Sequence, residues 1–224
     1  MSSLPAAEYP VQFQVDPDLG PRNRLTVAFR LILAIPHLIL VGGFGLGLNF
    51  GGGFGGGTAS NQLFSTVGNG VLSLAAGVCA FISWFAILFT GTHPRGLYDF
   101  ETFVLRWRVR SSAYTALFRD EYPPFGEGDG SYPARFAVEY PEGPRDRLSV
   151  GLRLIYAIPH IVILFFLSLA WLVTTVIAWF AILFTGQYPQ GLIDFGLNVM
   201  RWSVRVEAYL LLLRDEYPPF SLSA

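Results

Sequence analysis

The chain has 224 residues, 52% of them hydrophobic and 14% charged, with a net charge of -1 and a mean hydropathy of +0.46. Soluble domains carry about 25% charged residues, so the deficit points to lipid as a solvent. The balanced charge and the lack of zinc-ligand spacing exclude a nucleic-acid binder, and the single cysteine, Cys79, excludes an intrachain disulfide and reads as a small core or lipid-facing residue.

Residues 1–23 are polar, acidic and Pro-containing, without the basic start and apolar core of a secretory signal. The N-terminus is therefore expected to stay uncleaved and cytoplasmic. Within this region "YPVQFQVDP" sets Val11, Phe13 and Val15 on one face, and "YPARFAVEY" later does the same with Ala134, Phe136, Val138 and Tyr140. Period-two alternation of this kind predicts short strands. If both form, they pair into a small cytoplasmic ribbon.

Arg22, Arg24 and Arg30 open the first apolar run, which contains "AIPH" at 34–37. Arg30 lies near the helix start, where a long side chain snorkels to phosphates. Pro36 removes a backbone donor and frees a carbonyl about one turn earlier, and the neighbouring His37 imidazole is a candidate to satisfy it. Next comes "VGGFGLGLNFGGGFGGGTASNQLFSTVGNG", where glycine is too dense for an economical helix. A loop is expected, with a Phe-bearing segment that packs on lipid or a partner as the alternative. "WFAILFTGTHPRGLYDF" follows, and Asp99 after "GL" is expected to cap a helix.

Leu97, Phe100, Val104, Trp107, Tyr114 and Phe118 fall at helical spacing, with Arg106 and Arg110 one turn apart beside them. Such a helix suits a membrane surface, aromatics at the headgroup boundary and guanidiniums near phosphates. Packing on its own hairpin is an equal and compatible alternative. "RDEYPPF" reads as a solvated ion cluster at a helix end stopped by its prolines.

The pattern then returns. At an offset of 123, "PRNRL" and "RLILAIPH" match "PRDRL" and "RLIYAIPH"; at an offset of 95, "WFAILFTG", the Asp99 position (Asp194) and "RDEYPPF" recur. The chain is a tandem repeat. Residues 1–125 are the first copy, 126–131 a linker and 132–224 the second copy. The difference of 28 residues is the Gly-rich insert, about 42–70. His160, Trp202, Arg201, Arg205 and Arg153 are the second-copy equivalents of His37, Trp107, Arg106, Arg110 and Arg30.

This order of motifs resembles a bacterial membrane-protein family catalogued as domain of unknown function 4389, here present twice. The resemblance implies membrane residence and supplies no activity.

From Leu148 to Phe184 the second copy is apolar for 37 residues, broken only by Arg153 and Pro159-His160. One straight span needs about 20 residues. Either each copy is a transmembrane helical hairpin, or an interfacial helix leads into one span over about 161–184. Arginines flank both sides of each run, and the positive-inside rule then asks for an even number of crossings, which favours the hairpin and places the insert at its extracytoplasmic tip. The expected fold is all-α and multi-pass in the bacterial inner membrane, with both termini cytoplasmic: two hairpins, each followed by an interfacial amphipathic helix.

No nucleophile with a base, phosphate loop or catalytic carboxylate pair stands out, and "GLGLNFGGGFGGG" lacks the βαβ setting of a dinucleotide fingerprint. The expected role is a scaffold or accessory subunit that binds lipid and other membrane proteins, or itself, through Trp107, Trp202 and their flanking arginines, without catalysis or cofactor. The alternative is a small-solute or lipid transporter, or a subunit whose paired His37 and His160 hold a haem or metal across a pseudo-twofold axis.

Overall fold

A computed structural model describes residues 9–43, 70–128 and 130–222. Among these lie β1 (Val11–Val15), α1 (Arg24–Ala28), α2 (Arg30–Val41), α3 (Val71–Thr90), α4 (Arg95–Thr115), β2 (Ala134–Val138), α5 (Arg147–Thr185) and α6 (Gln190–Leu210). The protein is mostly helical with one small sheet, and α3 and α5 are long and apolar enough to cross a membrane. β1 and β2 pair antiparallel, Val11 opposite Val138 and Phe13 opposite Phe136, so the ribbon expected from their alternation joins the two copies.

The second copy corrects the expected hairpin. Its apolar run is one uninterrupted helix of 39 residues, about 58 Å long at 1.5 Å per residue. Pro159 sits inside it, and no Gly, Asn or Asp follows before Gly186 to form a turn. Asp146 caps the start through Leu148 N–H at 3.0 Å, as Asn23 caps α1 through Leu25 and Thr26. Gly186 ends the helix in the left-handed region, φ +77°.

The first copy builds the same tract in pieces. At the two repeat offsets Gly42 and Gly70 both correspond to Phe165. Their backbones abut: a Cβ on Gly70 would lie 2.2 Å from Gly42 N. Ser73 Oγ donates to Val41 O across the junction at 2.9 Å. The insert thus leaves and re-enters a helix at a single point. The loop expected over the insert lies, for residues 44–69, outside the described residues.

Burial divides the helices sharply. α5 buries Val150, Arg153, Ala157, His160, Leu164 and Trp171, then Thr175, Ala178 and Ile182, a single narrow stripe at helical spacing. The rest of its circumference is exposed and apolar. α4 and α6 do the reverse, with nearly every residue from Val104 to Thr115 and from Val199 to Leu210 enclosed. The sequence allows a membrane surface or a packed position for these two helices; the structure makes them the interior, between the ribbon and the long helices. They end in left-handed Leu117 (φ 66°) and Leu212 (φ 63°), with Phe118 N–H returning to Ala113 O at 3.0 Å and Leu213 N–H to Ala208 O at 3.0 Å. The helices therefore stop before "RDEYPPF", and its prolines are not what stops them.

The copies grip each other by their ends. Arg22 N–H donates to Gly186 O, and Arg145 N–H to Gly91 O, each at 2.8 Å. The indole N–H of Trp179 donates to Val27 O at 2.9 Å, and that of Trp84 to Val150 O at 3.0 Å. Between α4 and α6, Arg108 and Glu207 form a 2.6 Å ion pair. Their repeat equivalents are Ser203 and Ser112, so this contact is asymmetric. Burial raises the Glu207 carboxyl, opposed by Arg108.

Phe118 stacks on both Trp171 and Tyr188, and Gly196 makes room for this packing. A Cβ at 196 would meet Trp171 Nε1 at 2.6 Å and Phe118 Cζ at 2.8 Å. Gly196→Ala is expected to cost about 1–3 kcal/mol through overpacking, read as a lower midpoint in thermal unfolding. An unchanged midpoint would mean that these rings move aside freely.

Candidate functional site

Each copy builds one buried cluster from residues far apart in sequence. In the first, Arg30 is 1% exposed, and its Nη2 donates to Asp120 Oδ1 at 2.6 Å. Nη1 reaches Arg119 O at 2.5 Å, and the guanidinium lies 4.5 Å over the Tyr114 ring. Arg22 joins the same carboxylate at 3.2 Å and bonds Leu117 O and Phe118 O at 2.8 and 2.9 Å. Two cations converge on one carboxylate, Arg22 also reaching Asp18 at 3.3 Å, and carbonyls at the negative end of α4 meet the guanidiniums as well. The second copy repeats this with Arg145 and Arg153 on Asp215 at 2.6 and 2.5 Å, Leu212 O and Tyr209 O, and the Tyr209 ring at 4.4 Å.

Two expectations change. Arg30 and Arg153 do not snorkel, because the loop after each core helix returns a carboxylate to them. "RDE" is not simply a solvated cluster, since its Asp120 and Asp215 are the partners of buried cations. Burial raises the Asp215 carboxyl, but Arg145 and Arg153 prevail and hold it below the usual carboxylate range.

Two helical turns along, the histidines are fully buried. Trp107 Nε1–H donates to His37 Nδ1 at 2.9 Å, and Trp202 Nε1–H to His160 Nδ1 at 3.0 Å. Indole can only donate, so Nδ1 is the acceptor and the proton of the neutral ring sits on Nε2. Phe125 stacks on His37 at 4.4 Å and Phe220 on His160 at 3.9 Å, while Tyr122 and Tyr217 tilt against the same rings. Each histidine is therefore enclosed by side chains of its own copy.

The helix carbonyls near each proline are also served differently from expectation. Tyr122 OH donates to Leu33 O at 3.2 Å and Tyr217 OH to Tyr156 O at 3.0 Å, three residues before Pro36 and Pro159. The tyrosine of "EYPPF" thus adds a hydrogen bond one residue beyond the carbonyl that each proline frees, at Ile32 and Ile155.

The remaining predicted site residues fall elsewhere. Trp107 and Trp202 are 6% and 5% exposed, too enclosed to present a face to lipid or a partner. Arg106 Nε donates to Phe136 O at 3.3 Å. Arg110 Nη2 donates to Gly126 O at 2.9 Å, and its Nη1 to Glu127 O. These two line a groove of about 480 Å³ against β2. Arg201 lies over Phe13 and Arg205 over Tyr9. Arg106, Arg201 and Arg205 thus buttress the ribbon and its start, and Arg110 holds the linker that leads to it. Asp99 and Asp194 are exposed within the second turn, because α4 and α6 begin at Arg95 and Gln190 behind Pro94 and Pro189, with no side-chain cap.

One cluster belongs to the first copy alone. Ser83 Oγ donates to Glu101 Oε1 at 3.4 Å, and His93 Nε2 lies 3.2 Å from Glu101 Oε2; all three are buried. Burial raises the Glu101 carboxyl against the lowering effect of His93 and Ser83. The equivalents are Ala178, Tyr188 and Gly196. The hydroxyl bonds the carboxylate rather than the imidazole, so this is not the order of a nucleophile with its base. Among the described residues no group of three or more His, Cys, Asp or Glu side chains is placed to hold a metal.

The sequence matches the family described as Domain of unknown function (DUF4389) twice, over residues 63–126 and 147–221, more than half of the chain. The chain belongs to this family. The second DUF4389 match spans α5, α6 and the "EYPPF" loop and holds Arg153, His160, Trp202 and Asp215 together. The first begins within the insert and takes α3, α4 and the same loop, with Arg22, Arg30 and His37 lying before it. No curated protein and no solved structure matches the chain.

The residues that sequence reasoning missed carry the cluster: Asp120, Asp215, Tyr122, Tyr217, Phe125 and Phe220. Their signal was the full repetition of "RDEYPPF", more than a helix stop requires.

Proposed function

We propose that the protein is a non-catalytic scaffold or accessory subunit of a bacterial inner membrane, held in lipid by its long helices. One observation carries this: the amphipathicity is inverted. Twenty-eight large apolar side chains on α2, α3 and α5 are exposed, far beyond the few hundred Å² of apolar patch that soluble monomers tolerate. Arg30 and Arg153, the cations within those helices beyond the exposed Arg147 at the start of α5, are 1% exposed. Water as solvent favours the opposite; lipid favours this arrangement.

The enclosed polar clusters support a structural purpose. Every member reaches a partner in its own copy, and none opens onto a cleft with a nucleophile and base. A partner protein is then met through exposed apolar or ribbon surfaces rather than through Trp107 and Trp202.

Two measurements test the proposal. The chain is expected in the membrane pellet after an alkaline carbonate wash; recovery as a monodisperse species in detergent-free buffer overturns membrane residence. Mild-detergent purification is expected to bring down a stoichiometric membrane-protein partner, identified by mass spectrometry. A lone protein that catalyses solute flux in proteoliposomes overturns the scaffold role.

A further inference from the structure

We propose that the chain lies along one leaflet of the bilayer, with α3 and α5 embedded parallel to the membrane plane rather than crossing it. This rests on the membrane reading above and goes beyond it, since length and composition alone are compatible with crossing.

The reason is that three layers run between the same two ends of the molecule. At one end Arg22 joins Gly186 at the close of α5, Leu117 and Phe118 at the close of α4, while Asp18 N–H of the ribbon's exit bonds Phe118 O. At the other end Arg145 joins Gly91 at the close of α3 and Leu212 at the close of α6. The far end of the ribbon is there too, with Tyr98 OH on Val138 O and Arg214 on Glu139 O. α4, α6 and the ribbon, though shorter, therefore lie alongside the long helices and between the same two ends.

Were the long helices to cross the bilayer, the other two layers would cross with them. Among the described residues the ribbon has two strands, and apart from Phe136 O and Val138 O, which Arg106 and Tyr98 already take, its outward backbone groups would stand in hydrocarbon, where unpaired groups are not tolerated. Exposed Gln12, Gln14 and Arg135 on its outer face would sit at membrane depth with it. Laid flat, the same molecule presents acyl chains with the long helices alone and keeps the ribbon in water.

The outer face fits acyl chains better than a protein partner. Leu154, Ile155 and Tyr156 are consecutive and 56%, 61% and 44% exposed. Three successive helical residues point over roughly 200° of circumference, which a flat protein surface cannot cover and fluid chains can. No exposed charge interrupts α5 between Leu148 and Thr185, and exposed Arg24 beside Gly186 and Arg147 beside Gly91 mark opposite ends of the molecule.

The test places single cysteines at the two ends of the full chain, Thr92→Cys and Gln187→Cys, each in a Cys79→Ser background. Spheroplasts and inverted vesicles from expressing cells are treated with a membrane-impermeant maleimide. Both cysteines are expected to react in the same preparation and in neither case in the other. Reaction of Thr92→Cys in one preparation and Gln187→Cys in the opposite one overturns the in-plane arrangement while leaving membrane residence intact. Recovery of the chain in the supernatant after ultracentrifugation would instead refute the membrane reading itself.

Discussion

Asp215→Ala is expected to lower the unfolding free energy by about 3–5 kcal/mol, because it removes the one carboxylate shared by Arg145 and Arg153 and leaves two buried cations unpaired. In a chain of this size that is a fall of about 2–4 °C in midpoint per kcal/mol. Asp120→Ala should cost less, because it strips Arg30 of its carboxylate while Arg22 keeps Asp18 at 3.3 Å. The pH dependence follows from the depressed Asp215 carboxyl. Its contribution is fully present above the unfolded value of about 3.9 and is lost as pH falls through the lower folded value. The wild-type midpoint should therefore drop on acidification below about pH 4, and that part of the drop should vanish in Asp215→Ala. Thermal scans in detergent across that range decide it; a variant as stable as the wild type would mean that solvent or lipid already compensates the arginines.

Trp202→Ala ranks beside it, at about 3–5 kcal/mol for emptying a buried indole site. It also leaves His160 Nδ1 without its donor. Trp202→Phe keeps most of the volume and should cost about 1–3 kcal/mol, the penalty of the orphaned imidazole. Trp107 should behave in the same way toward His37. The ordering wild type, Phe, Ala in unfolding midpoint is the readout. If Trp202→Ala leaves the midpoint unchanged but weakens recovery of a partner, the indole faces a protein surface and the buried placement is wrong.

Several features could be read directly from the residues. The offsets of 123 and 95 establish the duplication, and alternation in "VQFQV" and "ARFAV" marks two strands that do pair. The hydrophobic content marks helices long enough for a bilayer. Caps were misplaced: Asp99 and Asp194 lie inside their helices, and Asn23 and Asp146 are the capping side chains. Element lengths were also less legible. The 37 apolar residues read as two helices with a turn, yet after Pro159 no Gly, Asn or Asp lies among them to form one, and α5 continues through.

The partners of the charged and aromatic residues were illegible for a different reason. Arg153 and Asp215 are 62 residues apart, and His160 and Trp202 are 42 apart; spacing along one helix cannot report a loop that folds back onto another. Trp107 with Arg106 and Arg110 reads as an amphipathic surface because periodicity distinguishes a stripe from its opposite, but not whether that stripe meets lipid or protein.

Sequence by itself determined that this protein is a duplicated, lipid-compatible helical chain with a β-ribbon, since composition and period depend only on local order and solvent preference. Tertiary structure alone decided which face of each helix is inside. The two copies swap their ends, enclose α4 and α6, and turn arginine and histidine inward toward carboxylate, carbonyl and indole partners. A buried ion is tolerable only where such partners converge in space, and convergence between distant segments is a property of packing, not of any one stretch of chain.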